Sequence, residues 1–249
     1  MILLVDIGNS AIKWACTETF EKLENADIEF YRHTRLSDVL DAKWKKIESP
    51  EQILVSNVAG KEIEKDLAQW CQDNWHLEPE YLQVRDNDYG VKLAYQDTSQ
   101  LGVDRWLAII AAWNKIQHAL CVVDCGTAVT VDGVSESGQH LGGMILPGIE
   151  LMQQSLLERA SGISEIKTMQ GKDQLANNTQ QGIASGTTMA VVAMVDRVVK
   201  NMQKDFDTNL ACIITGGSAM NILHLTESQF EHDPHLVLHG LAWTGKQKI

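Results

Sequence analysis

The chain has 249 residues, of which 44% are hydrophobic and 22% are charged, with 18 glycines and 4 prolines. At about 150 residues per domain, this length predicts one large or two small domains with a hydrophobic core, and the composition excludes a disordered chain. Lysine and arginine number 21 against 33 aspartates and glutamates, a net charge of −12. No basic cluster stands out to bind a phosphate backbone, so we expect no nucleic-acid partner.

A β-hairpin is predicted at the start of the chain. An apolar run at residues 2–5 ends in Asp6-x-Gly8 and is followed by a second alternating run, the pattern of two strands around a tight turn. The pattern returns in the middle of the chain, where residues 123–131 (VDCGTAVTV) align with residues 5–13 (VDIGNSAIK) at an offset of 118 (124 minus 6). This offset is close to half of the chain, so the sequence predicts two related halves.

The elements between the two hairpins alternate between strand and helix. Residues 53–58 form an apolar β-run, and apolar side chains recur at helical spacing over residues 63–75. Residues 103–113 are apolar on nearly every side after Asp104 and Arg105. This predicts a buried helix whose two charges lie in the first turn, with that end facing something polar.

The second half continues in the same style. Residues 189–202 are predicted to form a long apolar helix, and residues 210–215 a strand that ends in Gly216-Gly217. The bare backbone of this turn could pack against a base or ribose, and a plain strand-to-helix turn explains it equally well. Mixed strands and helices in two copies predict an α/β protein.

The sequence carries no evident targeting or metal-binding signal. Its longest apolar runs, such as residues 107–113, are far shorter than the about 20 residues that cross a bilayer, and the opening MILLVDIG has no cationic stretch before its apolar residues. We therefore expect a cytoplasmic protein without a membrane partner. The five cysteines form no CxxC pair, and Pro234 separates His232 from His235, so buried thiols are expected rather than disulfides or zinc.

The first hairpin turn carries groups that suit a phosphate. Asp6 stands at a strand end, and Gly8 lets backbone amides approach an anion closely. Ser10 offers a hydroxyl, and Lys13 supplies a point charge that could reach the same phosphates. Considered alone, this segment is explained as well by a hairpin with a capping aspartate.

The second hairpin repeats this arrangement with Asp124, Gly126 and Thr127. Two acidic, glycine-containing hairpins that face each other could clamp a nucleotide together with its cation. The duplication therefore favours nucleotide binding over a simple capped turn.

Other motifs that handle phosphates or acyl groups are absent from the sequence. It contains no Gly-x-x-x-x-Gly-Lys-Ser/Thr loop, no Gly-x-Gly-x-x-Gly turn and no Gly-x-Ser-x-Gly elbow. A phosphatase with a nucleophilic aspartate would need a second carboxylate where Gly8 stands. These classes of enzyme are disfavoured.

The quartet Gly102-Val103-Asp104-Arg105 begins the predicted buried helix. Ionised groups at such a place are costly unless they bind each other or a ligand. In the first case they form an internal ion pair. In the second, the Arg105 fork suits a carboxylate and Asp104 accepts a proton from a hydroxyl that attacks a phosphoryl group, a combination that fits a hydroxy acid.

The motifs Asp6-x-Gly-Asn-Ser, Gly102-x-Asp-Arg and Asp124-x-Gly-Thr-Ala-x-Thr occur in this order, followed by residues 141–148 (LGGMILPG) and 178–186 (NTQQGIASG). Together they resemble the type III pantothenate kinases, a bacterial family in the superfamily of acetate and sugar kinases, Hsp70 and actin. The resemblance implies an α/β fold of duplicated ribonuclease-H-like (actin-like ATPase) domains, with mixed sheets flanked by helices. We expect the domains at residues 1–117 and 118–249.

The resemblance also implies an activity, the ATP-dependent phosphorylation of pantothenate to 4′-phosphopantothenate at the start of coenzyme A biosynthesis. It implies Mg²⁺ accompanying ATP, a monovalent cation (K⁺ or NH₄⁺) and a homodimer with the substrate pocket near the interface.

Individual roles follow from the same resemblance. Asp104 is implied to be the catalytic base and Asp124 the carboxylate that holds the monovalent cation. The phosphate contacts are implied at Asp6, Gly8, Asn9, Ser10, Lys13 and Thr127, with Gly216 and Gly217 as further candidates for the nucleotide. The pantothenate contacts are implied at Tyr95, Gly102, Val103, Asp104, Arg105 and Thr179.

Two other functions remain open at this point. One is a non-catalytic, ATP-binding accessory or regulatory protein of the same family, which could dispense with Asp104, Arg105 and Asp124, although all three are present. The other is a related kinase for another small hydroxylated acid or sugar.

Overall fold

The computed structural model describes residues 1–31, 34–159, 171–172, 174–206 and 210–247. They divide into two compact units. The first consists of Met1–Val91, Tyr95–Asn114 and His235–Ile249, and the second of Lys92–Ala94 and Lys115–Pro234.

Ten strands and seven α-helices are assigned within the described residues, with short 3₁₀ helices at Trp44–Lys46 and Thr98–Gln100. In chain order they are β1 (Ile2–Ile7), β2 (Ala11–Thr17), β3 (Glu24–Phe30), α1 (Leu36–Lys43), β4 (Gln52–Asn57), α2 (Lys61–Trp75), β5 (Glu80–Tyr81), α3 (Val103–Ile116), β6 (Leu120–Cys125), β7 (Ala128–Val134), β8 (His140–Pro147), α4 (Ile149–Arg159), α5 (Thr179–Asp205), β9 (Ala211–Thr215), α6 (Ala219–Ile222), β10 (Glu231–His232) and α7 (Leu236–Lys246).

The first unit is built on a mixed sheet with the strand order β3-β2-β1-β4-β5. The predicted hairpin is present, since β1 and β2 are antiparallel, and β4 lies parallel to β1 on its other side. Because side chains alternate between the faces of a sheet, Leu3, Val5 and Ile7 enter the hydrophobic core under α1 and α2, and Asp6 points to the opposite face.

The second unit repeats this sheet. Its strand order, β10-β9-β6-β7-β8, is that of the first sheet when it is read backwards. The antiparallel pairs β6–β7 and β7–β8 correspond to β1–β2 and β2–β3, and β9 is parallel to β6 as β4 is to β1. The predicted duplication and the α/β fold with two mixed sheets are therefore confirmed.

The structure corrects the alignment of the two hairpins by one residue. Asp6 lies opposite Lys13, whereas Asp124 lies opposite Thr130. The offset of 118 therefore holds up to the ends of β1 and β6 and falls to 117 (130 minus 13) after the turn, because the second turn is one residue shorter. The structural counterpart of Lys13 is Thr130, and the sequence alignment with Val131 was wrong.

The carboxyl-terminal helix α7 packs on the sheet of the first unit, against β1, β2 and β4. It approaches its neighbours closely at two glycines. A Cβ atom at Gly240 would lie 2.7 Å from the carbonyl carbon of Leu107, and one at Gly245 would lie 2.7 Å from Leu54 Cδ1. The first compact unit includes residues 235–249, which the predicted domains placed in the second half, and the second unit includes residues 92–94 and 115–117, which they placed in the first. Burying this apolar helix on the free face of the first sheet explains the first difference.

The long helix α5 contributes to the core of the second unit. It begins ten residues earlier than the predicted helix and buries Val191, Val192, Val195 and Val199 against β6, β7 and β9. Among the described helices, α5 has the length and mean hydropathy of a membrane-crossing helix. Of its apolar 18-residue stretch, 44% is buried inside the protein. Its apolar side chains are used in packing within the unit.

Candidate active site

The carboxyl end of β1 brings three polar residues to one face of the first sheet. Asp6 lies opposite Lys13 on β2 and opposite Ser56 on β4. The Ser56 hydroxyl donates a hydrogen bond of 2.9 Å to Asp6 Oδ1, and both residues are buried. A buried carboxylate is stable only when such donors surround it, so Asp6 is held firmly at this strand end.

The turn after β1 presents backbone groups beside this carboxylate. The Gly8 N–H donates to the Ala11 carbonyl at 3.0 Å, which closes the turn and leaves Asn9 exposed at its tip. The predicted phosphate residues Asp6, Gly8, Asn9 and Ser10 therefore lie together. The structure adds Tyr31, whose hydroxyl donates to the Gly8 carbonyl.

The second unit reproduces the strand end with different side chains. Asp124 on β6 lies opposite Thr130 on β7 and Thr215 on β9. The acid and the hydroxyl on the neighbouring parallel strand are retained, and the lysine is replaced by a threonine. The side chains of all three residues carry oxygen atoms, the kind of donor that suits a bound cation.

The glycine turn after β9 is tied to the end of β6. Gly216 has φ +93°, and a Cβ atom there would lie 2.5 Å from the backbone nitrogen and carbonyl carbon of Cys125. The Ser218 N–H donates to the Cys125 carbonyl at 2.9 Å. Gly217 is exposed and has nothing within 4 Å of an added Cβ. The structure therefore brings the Gly216 turn beside Asp124, with an open backbone at Gly217.

A similar close contact fixes the backbone around Thr127. The Gly148 N–H donates to the Thr127 carbonyl at 2.9 Å, and a Cβ atom at Gly148 would lie 2.6 Å from that oxygen. The residue before α4 therefore holds the turn between β6 and β7, as the residue after β3 holds the turn between β1 and β2.

The predicted buried helix α3 begins with the quartet. Gly102 lies beside Val58, since an added Cβ would be 3.9 Å from Val58 Cγ1, and the Val58 N–H donates to the Ile7 carbonyl at 3.0 Å. The start of α3 is thereby placed at the carboxyl edge of β1 and β4, the edge that carries Asp6. Asp104 is partly exposed there, and its Oδ1 accepts a hydrogen bond of 2.7 Å from the Arg105 N–H.

Arg105 and Tyr95 form a further contact at this helix start. Arg105 is only 7% exposed, its Nη1 donates to the Tyr95 hydroxyl at 3.3 Å, and its Cζ lies 5.9 Å from the centre of the Tyr95 ring. Tyr95 reaches Arg105 from the loop before α3, so two residues assigned to pantothenate by resemblance are neighbours.

Thr179 stands apart from these residues in the sequence. It is the first residue of α5, where the side chain of Asn178 caps the helix by accepting a hydrogen bond of 2.9 Å from the Gln181 N–H. Thr179 is exposed at this helix end.

All five cysteines are free and buried, as predicted from their spacing. Burial, reinforced by the negative charge of Asp124, raises the pKa of Cys125 to about 12. Within the part of the chain that the structure describes, no group of three or more His, Cys, Asp or Glu side chains could hold a metal ion.

The sequence of the chain matches a known protein family. The model of the type III pantothenate kinases matches residues 2–201. The chain belongs to the type III pantothenate kinase family. The type III pantothenate kinase of Nitrosococcus oceani is 38% identical over 251 residues, covering 99% of this chain and 94% of the relative. That of Nitrosomonas eutropha is 34% identical over 256 residues, covering 98% and 94%.

Solved structures share the fold of this type III pantothenate kinase family member. A protein from Campylobacter jejuni, described as a member of the Baf family of transcriptional activators, superposes with a TM-score of 0.63 at 22% identity, covering 99% of this chain and all of the other. A ROK family glucokinase from Streptomyces griseus superposes with a TM-score of 0.51 at 12% identity, covering 99% of both chains. At these identities the likeness concerns the fold alone, that of the actin-like ATPases and sugar kinases.

Proposed function

We propose that Asp104 is the general base in the reaction by which this chain phosphorylates pantothenate with ATP, giving 4′-phosphopantothenate for coenzyme A biosynthesis. The observation that carries the proposal is the quartet at the start of α3. It sets a partly exposed carboxylate, Asp104, next to a buried guanidinium, Arg105, at the sheet edge that also carries Asp6.

The two charged residues would take different parts of the substrate. Arg105 presents a planar fork of N–H donors that suits the carboxylate of pantothenate, and its burial strengthens this attraction. The contact with Tyr95 holds the fork in place. Gly102 and Val103 line the approach to the helix, and Asp104 accepts the proton of the primary hydroxyl.

Phosphoryl transfer then proceeds in line. The hydroxyl oxygen forms a bond to the γ-phosphorus, and the bond from that phosphorus to the β–γ bridging oxygen breaks to release ADP. The proton passes to Asp104 and from there to solvent. Lys13 and the amides of the first turn offset the charge on the phosphate oxygens, and no phosphoenzyme forms.

The remaining nucleotide contacts are proposed at the glycine-containing turns. Asp6, Gly8, Asn9 and Ser10 form the segment of the first hairpin that receives phosphate oxygens. Thr127 contacts a phosphate from the second hairpin. The open turn at Gly216 and Gly217 packs against the base or ribose.

A monovalent cation, K⁺ or NH₄⁺, is proposed at Asp124. Asp124 lies opposite Thr130, whereas Asp6 in the first unit lies opposite Lys13. Thr215 on the other neighbouring strand supplies a second hydroxyl. A carboxylate surrounded by hydroxyls, without a fixed ammonium in the facing position, fits a cation that balances phosphate charge. Mg²⁺ is proposed to arrive with ATP, where it neutralises charge on the phosphate oxygens.

A homodimer in the cytoplasm is the proposed state of the chain. Exposed apolar side chains on the edge strand β8 and on α4 support self-association, because monomers rarely expose such side chains in a group. They are Leu141, Met144, Ile145, Leu151 and Leu156. In a dimer of this kind, Thr179 contributes to the pantothenate pocket near the interface.

Coupled ADP release with ATP, Mg²⁺ and pantothenate tests the proposed function. The assay is run in K⁺ and then in Na⁺, with a panel of other hydroxylated acids and sugars in parallel, and the product is identified by mass spectrometry. We expect turnover that requires pantothenate and K⁺. Turnover with another acceptor alone would establish a different kinase, and nucleotide binding without turnover would favour the accessory function.

A further inference from the structure

A residue at the end of the third strand holds the turn of the first hairpin. Tyr31 directly follows β3, and its backbone N–H donates to the Ser10 carbonyl at 3.2 Å. Its phenolic hydroxyl donates to the Gly8 carbonyl. Tyr31 is 9% exposed. One buried residue thus fixes the two carbonyl groups that flank Asn9.

These contacts determine where an amide of the turn points. In a planar trans peptide the carbonyl and the N–H point in opposite directions. Since the Gly8 carbonyl points to the Tyr31 phenol, the Asn9 N–H points away from it. Among the residues that the structure describes, nothing accepts a hydrogen bond from this amide, and Asn9 is exposed. The turn therefore offers a donor with a defined direction.

The phenol keeps its proton under ordinary conditions. Burial raises the pKa of Tyr31 above its usual value, and the nearby negative charge of Asp6 raises it further. The hydroxyl is therefore a donor at neutral pH.

We propose that Tyr31 is a positioning residue of the nucleotide site, whose hydroxyl orients the Gly8–Asn9 peptide so that the Asn9 N–H donates to a phosphate oxygen of ATP. The inference rests on the proposed function, because it takes the first hairpin as a phosphate-binding segment. Tyr31 itself contacts no substrate and acts through the peptide that it holds.

Tyr31→Phe tests this with Tyr81→Phe as a matched control. Tyr81 is a partly buried phenol of the same unit that donates to a backbone carbonyl, that of Glu64, at 2.8 Å. Both variants lose one hydrogen bond of the same kind. Losing a bond of ordinary strength corresponds to a change of roughly 2- to 12-fold in an equilibrium constant. For Tyr31→Phe we expect this rise in the KM for ATP and in the Kd for a non-hydrolysable ATP analogue with Mg²⁺, with the KM for pantothenate unchanged.

The control separates positioning from stability. Tyr81→Phe is expected to lower the melting temperature with unchanged nucleotide affinity. If Tyr31→Phe behaves in the same way, its role is purely structural and the proposal is overturned. If the wild type binds the analogue but does not phosphorylate pantothenate, the proposed function fails, while weaker binding by Tyr31→Phe still supports the inference.

A measurement on the wild-type protein covers the case in which the variant does not fold. The amide proton resonance of Asn9 should move downfield when the ATP analogue and Mg²⁺ are added, because the amide gains a charged acceptor. An Asn9 resonance that stays in place at saturating analogue would overturn the proposal.

Discussion

The Ser56 hydroxyl donates a hydrogen bond of 2.9 Å to the Asp6 carboxylate, across two parallel strands that are joined through some fifty residues of chain. Thr215 occupies the corresponding position beside Asp124 in the second unit. Each half therefore pairs its strand-end aspartate with a hydroxyl on the neighbouring parallel strand.

Ser56→Ala should destabilise the protein by about 1.5–3 kcal/mol, because the buried Asp6 carboxylate loses the hydrogen bond from the Ser56 hydroxyl. Ser99→Ala is the matched control, since the Ser99 hydroxyl donates to Asp97 Oδ1 at 2.7 Å on the exposed surface. Its effect should be below about 0.5 kcal/mol. Urea unfolding of both variants measures the difference, and equal losses would show that Asp6 does not depend on Ser56.

Arg105→Lys should raise the KM for pantothenate about tenfold or more, since lysine keeps the charge and loses the planar fork. The contact with the Tyr95 hydroxyl would also change. Arg197→Lys, on an exposed position of α5, makes the same chemical change away from the site. Steady-state kinetics with pantothenate varied at saturating ATP provide the test, and an unchanged KM in Arg105→Lys would contradict the assigned role.

Gly216→Ala should weaken nucleotide binding and stability together. The positive φ disfavours a side chain, and the Cβ would collide with the backbone of Cys125. Gly217→Ala introduces the same methyl group one residue later, where nothing lies within 4 Å. Thermal unfolding should show a clear loss for the first variant and little change for the second. Equal stability of the two variants would mean that the Gly216 turn relaxes freely.

Asp124→Asn should abolish the stimulation of turnover by K⁺, because the amide removes the charge that would hold the cation. Asp66→Asn, on the exposed face of α2, is a control for the loss of one negative charge. Rates are compared in K⁺ and in Na⁺ at constant ionic strength. A normal response to K⁺ in Asp124→Asn would argue against a cation at this residue.

Local patterns in the sequence were sufficient to predict both hairpins, the buried helix α3 and the duplication, because each depends on neighbouring residues and on the spacing of apolar side chains. Residues that act across long sequence separations were missed. Ser56 and Tyr31 reach the first hairpin from β4 and from the end of β3, and neither stands in a motif.

The packing of the carboxyl-terminal helix α7 was also missed, because it depends on residues far away in the sequence. No element was predicted over residues 236–246, so the place of α7 in the first unit was not foreseen. The one-residue shift between the hairpins arises because the two turns differ in length. An alignment without gaps cannot show this difference, whereas the pairing registers of the strands do.

The role of Asp104 as the general base is tested most directly by the kinetics of Asp104→Asn. Asp97→Asn is the control, since Asp97 lies on the exposed loop before α3 and caps a 3₁₀ turn through Ser99. Removing a positioned base costs about 10²–10⁴ in rate. We predict a loss of this size in the kcat of Asp104→Asn with the Kd for nucleotide unchanged, and near-normal kinetics in Asp97→Asn. A kcat of Asp104→Asn within a few-fold of the wild type would contradict the account.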